Sequence, residues 1–193
     1  TSSSDKKIYG APFGPGSGGG IMYNRKVYAD LGLKVPNTWD EFMANNAKIK
    51  AAGKTAVLQT YGTTWTSQLF VLADFANINA SDANWGADYT ANKKKYSSQP
   101  ALAGFQHTED VFKGGYINSD AASLTLDNGL KKLALGDAVH YPILSGVITT
   151  VQQNNPDKVA DLGFFPIPTT LGATSTLTTW VPGAFYIPVT TKD

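Results

Sequence analysis

The stretch Tyr9–Lys50, YGAPFGPGSGGGIMYNRKVYADLGLKVPNTWDEFMANNAKIK, constrains the chain more than any other, because it runs a glycine- and proline-rich segment into a short apolar run and then into a capped helix. From Pro12 to Gly20 the sequence PFGPGSGGG is too rich in glycine for the interior of a helix or strand, since glycine loses the most conformational freedom on ordering. This composition predicts a flexible turn or a crossing between two bodies. Ile21-Met22-Tyr23 can pair in a sheet, and Asn24 is a turn former. Thr38 and Glu41 stand as Thr-x-x-Glu, a capping box in which the Thr hydroxyl takes an orphan amide and the Glu side chain reaches back to the cap. The spacing therefore predicts a helix from Trp39, with Pro36 barring an upstream helix and Gly53 as its stop.

Beyond this stretch, short apolar runs alternate with helical patterns. Thr55 to Gln59, TAVLQ, reads as a buried strand, and Trp65 to Ala76 as an apolar helix buried on more than one side. Asn77 to Pro100 is polar and reads as loop or hairpin, with Lys93-Lys94-Lys95 a solvated run. Leu102 to Phe112 and Ser123 to Leu135 are helical, ended by Gly114-Gly115 and Gly136. Asp137 to Ile143 and Leu162 to Ile167 read as strands around a short helix at Val147 to Gln152. Trp180 to Val189 is a last strand, interrupted by Pro182 and Gly183. Strands separated by helices predict an α/β fold, a mixed sheet flanked by helices, with ligands at loops beyond the strand ends and at helix N-termini.

Charge and composition exclude several classes of partner. Sixteen basic residues against 15 acidic ones leave a net charge of +1, too little to attract nucleic acid or an anionic membrane. Charged residues are only 16%, while Gly, Ser, Thr and Asn are plentiful, a composition that suits a secreted surface working through hydrogen bonds. With no cysteine there is no disulfide, thiolate metal site or Cys nucleophile. No run approaches the ~18 apolar residues of a membrane span. TSSSDKK is neither a signal peptide nor a lipidation box, so an export signal would lie outside this chain.

Catalytic patterns are weak. His107 lies beside Glu109 and Asp110, His140 lies within a strand, and neither HExxH nor GxSxG occurs. GPGSGGG is followed by no Lys-Ser/Thr and is not a phosphate loop. Asp127, Asp137, Glu109 and Asp110 would act as a glycosidase acid and base only at a separation of ~5 to 9.5 Å, which spacing in sequence does not show. The reading is of a chain that is not an enzyme and needs no metal and no cofactor.

Three pieces taken jointly carry a resemblance: Tyr23-Asn24-Arg25-Lys26, then Leu31-Gly32-Leu33, then Val35-Pro36-Asn37-Thr38-Trp39-Asp40-Glu41-Phe42. Together they resemble the signature of the extracellular solute-binding proteins of carbohydrate ABC transporters, the maltodextrin-binding-protein-like family with the type II periplasmic-binding-protein fold. Thr55-Ala56-Val57-Leu58-Gln59-Thr60, Gly136-Asp137-Ala138-Val139, Gly163 to Pro168 and Thr179 to Pro188 resemble later strands of that family. The resemblance implies one lobe of a two-lobed fold, mainly the second lobe, in a fragment about half the length of intact members. Residues 1–20 would be a lead-in and interlobe crossing or hinge, 21–182 the ligand-binding lobe, and 183–193 a return strand.

A sugar ring offers an apolar C–H face and a fringe of hydroxyls, so its site needs an aromatic plate and several hydrogen-bonding groups. By resemblance, Trp65 is the stacking plate, Trp180 lines the cleft beside Pro182 and Gly183, and Tyr61 and Gln59 support them. Ser17 lies where the family's crossing passes near ligand. Where relatives carry a second Trp plate this chain reads Tyr141-Pro142-Ile143-Leu144-Ser145-Gly146, so that plate is absent or its role passes to Tyr141. Trp39 belongs to the helix cap and is structural. The implied function is capture of a sugar or oligosaccharide outside the cell and its delivery to an ABC permease. The lobes would close by hinge motion, with Gly16 to Gly20 absorbing part of it, and the single lobe would bind little by itself. The implied location is extracellular, cell-surface lipoprotein or periplasmic, with membrane contact only through a lipid anchor outside this chain. A secreted non-catalytic carbohydrate-recognition or adhesion module is the alternative, and a glycoside-processing enzyme the third reading.

Overall fold

The architecture is built around one strand that carries three consecutive glycines. The computed structural model describes residues 6–14, 16–170, 175–180, 183–188 and 190–191. In chain order the elements are β1 (Ala11–Phe13), β2 (Ser17–Asn24), α1 (Arg25–Asp30), α2 (Trp39–Ala51), β3 (Thr55–Val57), a 3-10 turn (Thr64–Gln68), α3 (Leu69–Ala73), α4 (Phe75–Ser81), α5 (Trp85–Thr90), α6 (Ala103–Lys113), α7 (Leu126–Leu135), β4 (Ala138–Leu144), a 3-10 turn (Ser145–Val147), α8 (Ile148–Asn154), a 3-10 turn (Pro156–Asp161), β5 (Leu162–Phe165), β6 (Thr178–Trp180) and β7 (Gly183–Phe185).

β2 is the centre of a five-stranded mixed sheet. β4 runs antiparallel to it along Gly19–Tyr23, and β3 lies parallel to β4 at the edge. The other side of β2 is shared by two strands, β6 against Ser17–Gly19 and β5 against Ile21–Asn24. Where the sequence predicted a flexible turn or a crossing over Pro12 to Gly20, Ser17–Gly20 is paired strand rather than flexible turn. The glycines are in the strand because their neighbours occupy the space side chains would take. A Cβ at Gly18 would lie 2.8 Å from the Leu177 side chain, one at Gly19 2.8 Å from the Trp180 ring, and one at Gly20 2.5 Å from the Phe165 carbonyl oxygen. The lost glycine entropy is offset by packing that only a bare backbone allows. The return segment pairs with the outgoing one: β1 and β7 form a separate antiparallel ribbon, Ala11 opposite Phe185 and Phe13 opposite Gly183.

Helices cover both faces of the sheet. Ile21, Val57, Val139 and Phe165 face α1, α2, α3 and α6 through Val27, Tyr28, Phe42, Ile49, Phe70 and Val111. Met22, Tyr141, Ile143 and Leu162 face α7 and α8 through Leu130, Leu133 and Val151. α2 begins at the expected box: the Thr38 hydroxyl accepts from the Glu41 amide at 3.2 Å, and the Glu41 carboxylate accepts from Thr38 N and Asn37 N. Gly53, Gly115 and Gly136 close α2, α6 and α7 with positive φ, as residues without a Cβ do.

Further expectations differ from the structure. Asn77–Pro100 is not a polar loop. It holds most of α4 and all of α5, because Trp85 is buried among Ile78, Ala101, Phe75 and Tyr96 and stacks on Tyr89 at 5.2 Å. Within the lysine run Lys94 is not free, pairing with Asp82 and Asp88. The predicted helix Trp65–Ala76 is a 3-10 turn followed by two helices that meet at Asp74.

Both histidines are core residues. His140 is held between Asn46 Oδ1 at 2.8 Å and the Tyr28 hydroxyl, and burial pushes its pKa down to about 3. His107 stacks on Trp39 at 3.8 Å with no hydrogen-bond partner on either ring nitrogen among the described residues, and burial pushes it down to about 4. Asp74, also buried, is pushed up to about 6 by desolvation, which outweighs its bond from Asn77. The histidines are neutral in the fold and take up protons on unfolding, so their contribution is complete above pH ~6.5 and is lost as pH falls toward about 4. Asp74 acts oppositely, its burial penalty being relieved as pH falls below about 6. We predict net acid destabilisation in chemical denaturation between pH 7 and 4.5. His107→Phe, which keeps the stack and removes two unpaired nitrogens, will raise stability at pH 7 by about 1–2 kcal/mol and flatten the acid slope; an unchanged slope would refute the assignment.

Candidate functional site

Strand direction brings one set of loops to one end of the sheet. The C-terminal ends of β3, β4 and β6 and the N-terminal end of β2 all lie there, the end at which open α/β sheets place ligands. Past β3 the chain runs through Gln59, Thr60 and Tyr61 into the turn that carries Trp65. Past β4 it forms the Ser145–Val147 turn, and β6 ends on Trp180.

The β3 loop is held from behind by the segment 116–125. Asn118 stands in for a neighbouring strand, its Oδ1 accepting from Gln59 N at 2.7 Å and its Nδ2 donating to Gln59 O at 3.1 Å. Tyr61 N donates to Ala121 O, and Gly62 N to Leu124 O. In return, the Thr63 hydroxyl accepts from Leu126 N and caps α7, whose own Thr125 makes no such bond. Thr66 is the buried anchor of the 3-10 turn: its hydroxyl donates toward the carbonyls of Thr60 and Thr63, and accepts from the Thr60 hydroxyl. With Thr66 turned inward, its neighbour Trp65 is turned outward and remains 37% exposed. Gln68 Nε2 fixes the same turn by donating to the Trp65 carbonyl at 3.1 Å.

Ser17 is buried, and its hydroxyl accepts from Gly146 N at 3.1 Å, while the Ser145 hydroxyl accepts from Gly18 N at 2.9 Å. This reciprocal clamp joins the start of β2 to the turn after β4. Trp180 lies half-buried across Gly19, next to Ala73. None of Gln59, Tyr61, Trp65, Ser145 and Trp180 is charged, which suits a neutral ligand; burial raises the Tyr61 hydroxyl pKa and keeps it protonated.

Two expected residues lie elsewhere. Tyr141 is not a surface plate: it pairs with Met22 on the α7–α8 side of β4, is fully buried, and its hydroxyl bonds Thr60. Burial pushes that hydroxyl up to about 12, and the residue is a pillar beneath the β3 loop. Gly183 sits in the β1–β7 ribbon opposite Phe13, while Pro182 lies outside the described residues. A concavity of about 690 Å³ at the start of α2, lined by Pro36, Asn37, Asp40, Pro166 and Thr169, contains none of the sheet-end residues.

Sequence reading missed what holds Trp180 in place. α3 and α4 break at Asp74, and Thr178 fills the break, its hydroxyl donating to Ala73 O at 2.7 Å and accepting from Ala76 N at 2.9 Å. Asn77 grips the same strap, with Oδ1 accepting from Thr176 N and Nδ2 donating to Ile167 O. No sequence motif marks these contacts, which join residues about a hundred positions apart. Ser145 had a signal, standing just past the end of a predicted strand.

The chain belongs to the bacterial extracellular solute-binding protein family, whose pattern matches residues 1–193. The multiple sugar-binding protein of Streptococcus mutans serotype c is 37% identical over 98 residues, covering 50% of this chain and 21% of that protein. Among solved structures, RafE in complex with raffinose is 27% identical with a TM-score of 0.74, over 97% of this chain and 49% of that one. The binding protein of an ABC transporter from Bifidobacterium animalis subsp. lactis in complex with mannobiose is 21% identical with a TM-score of 0.78, over 96% of this chain and 45% of that one, a likeness of fold. The chain thus spans about half the length of these solved proteins, and all of the proteins named are binding proteins.

The strap predicts a measurable effect. Thr178→Val, which leaves Ala73 O and Ala76 N unpaired, will cost about 1–3 kcal/mol and speed amide exchange in the 176–180 peptide beyond the global change in stability. Gly19→Ala, whose new Cβ falls against the Trp180 ring, will release the same peptide. Exchange that rises uniformly along the chain would sink the strap assignment.

Proposed function

We propose that this chain supplies one wall of a sugar-binding site in an extracellular solute-binding protein that serves an ABC importer. The observation that carries the reading is the gathering of Trp65, Tyr61, Ser145 and Trp180 at one end of the sheet, with the Trp65 ring presented outward by the buried Thr66 anchor, while the expected Gln59 is buried and held by Asn118 beneath the loop. An exposed indole supplies the apolar face that a pyranose covers, and burial of such a face at ~25 cal/mol/Å² is worth a few kcal/mol. The neutral hydroxyl and backbone groups at the same sheet end supply partners for sugar hydroxyls. Family membership and the raffinose and mannobiose complexes of structural neighbours support the sugar class.

The neighbours are about twice as long as this chain, and a second wall from a facing lobe would complete the enclosure. Domain closure over the ligand would then present the loaded form to a permease outside the cell membrane. The closing motion is assigned to the segment around the β1–β7 ribbon rather than to Gly18–Gly20, which are fixed within the sheet. A cell-surface or periplasmic location follows from the same reading.

One wall alone binds weakly, because forfeiting ~4 kcal/mol of contacts costs about a thousandfold in affinity. We predict millimolar binding of raffinose or mannobiose by the 193-residue chain in saturation-transfer NMR. Trp65→Ala, a change of a partly exposed ring that leaves the fold intact, will reduce binding at least fivefold. Micromolar binding by this chain would overturn the one-wall description, and binding indifferent to Trp65 would remove it as the plate.

A further inference from the structure

A groove of about 600 Å³ runs beside the sheet-end site, between the β3 loop with α3 and the outer face of α6. Its one wall carries Tyr61, Gln68 and Leu72, and its other wall Phe105, Glu109 and Phe112. Phe105, Thr108, Glu109 and Phe112 fall at i, i+3, i+4 and i+7, so they form one stripe along the helix. The stripe reads ring, hydroxyl, carboxylate, ring. Phe105 is 48% exposed and Phe112 73% exposed, so neither ring is consumed by the core. Seven residues of helix advance about 10 Å, comparable to two rings of an extended glycan.

We propose that this groove is a second carbohydrate-binding surface, which takes the outer rings of an oligosaccharide whose inner rings sit at the sheet end. The proposal rests on the sugar-capture reading of that end. Continuity supports it: Tyr61 belongs to both places, and Gln68 lines the groove while holding the Trp65 carbonyl. The chemistry of the stripe favours a glycan over an apolar peptide helix. A helix seated dry between Phe105 and Phe112 would bury the Glu109 carboxylate, which now shares an exposed pair with Lys113, and burying a charge is costly. Glycan hydroxyls would instead pair with that carboxylate and with Thr108, while their C–H faces cover the two rings. The groove therefore makes the chain a receptor for longer oligosaccharides in preference to short ones.

The test compares short and long members of two series on the 193-residue chain by NMR titration: raffinose with stachyose, and mannobiose with mannohexaose. We expect the longer member of each pair to bind about tenfold tighter, the ~1.4 kcal/mol that covering one ring face supplies. Phe112→Ala, an exposed truncation that leaves folding intact, will erase that increment without weakening the short sugars, and Phe112→Trp will restore or enlarge it. Trp65→Ala will weaken short and long sugars alike. Equal affinity for short and long sugars, or an increment that survives Phe112→Ala, overturns the groove. If short sugars still bind in a Trp65-dependent way, only the groove has failed; if no sugar binds, both readings fall. Long sugars bound through Phe112 but not Trp65 would keep the groove and overturn the sheet-end site.

Discussion

Contact between the bare backbone of Gly18, Gly19 and Gly20 and the side chains lying on it is the constraint on which this structure depends. β2 must accept β4 on one side and two successive strands on the other, and at Gly20 the Phe165 carbonyl comes within 2.5 Å of where a Cβ would stand. A single methyl there would force β5 away. The same absence of side chains lets the Trp180 indole lie across Gly19. Packing of this kind is sensitive to one carbon atom because protein interiors are close-packed and relax only partly.

The loop that carries Trp65 takes its rigidity from buried groups behind it. Asn118 pairs both backbone groups of Gln59, Thr66 is bonded on every side within its turn, and Tyr141 props Thr60 from within the core. Each of these polar groups is buried and satisfied, so moving the loop would expose unpaired donors and acceptors at a cost of ~1–3 kcal/mol apiece. A surface held in place in this way loses less entropy on any association than a mobile one. Trp180 is fixed independently, through Thr178 in the helix break and Asn77 beneath the strap. Two indoles at one sheet end are thus held by two unrelated sets of contacts.

The β1–β7 ribbon brings the first and last strands of the chain together. The outgoing and returning segments pair antiparallel, with Phe13 and Phe185 in contact at 4.5 Å and largely exposed. Two short strands with few buried contacts bend more readily than a five-stranded sheet, so this ribbon is the less rigid of the two sheets.

Much of this was legible along the chain. The capping box of α2, the glycine stops of α2, α6 and α7 and the strand before Ser145 follow from local rules of capping, positive φ and apolar periodicity, which act over a few residues. The family signature at Tyr23–Phe42 pointed to the class of protein for the same reason, being contiguous. What local rules misjudged were residues whose environment is made by distant ones. GSGGG reads as a flexible turn, yet Leu177, Trp180 and Phe165 lie on its glycines within a paired strand, and Asn77–Pro100 reads as loop, yet Trp85 is buried among residues on both sides of it in sequence. Tyr141 looked available because alternation along β4 does not state which face is covered. By itself the sequence determined the start of α2, the glycine-closed ends of α2, α6 and α7, the α/β alternation and the family. Only the tertiary structure decided which glycines are packed, which tyrosine is buried and what holds Trp180, because those outcomes depend on van der Waals contact and hydrogen bonds between residues about a hundred positions apart.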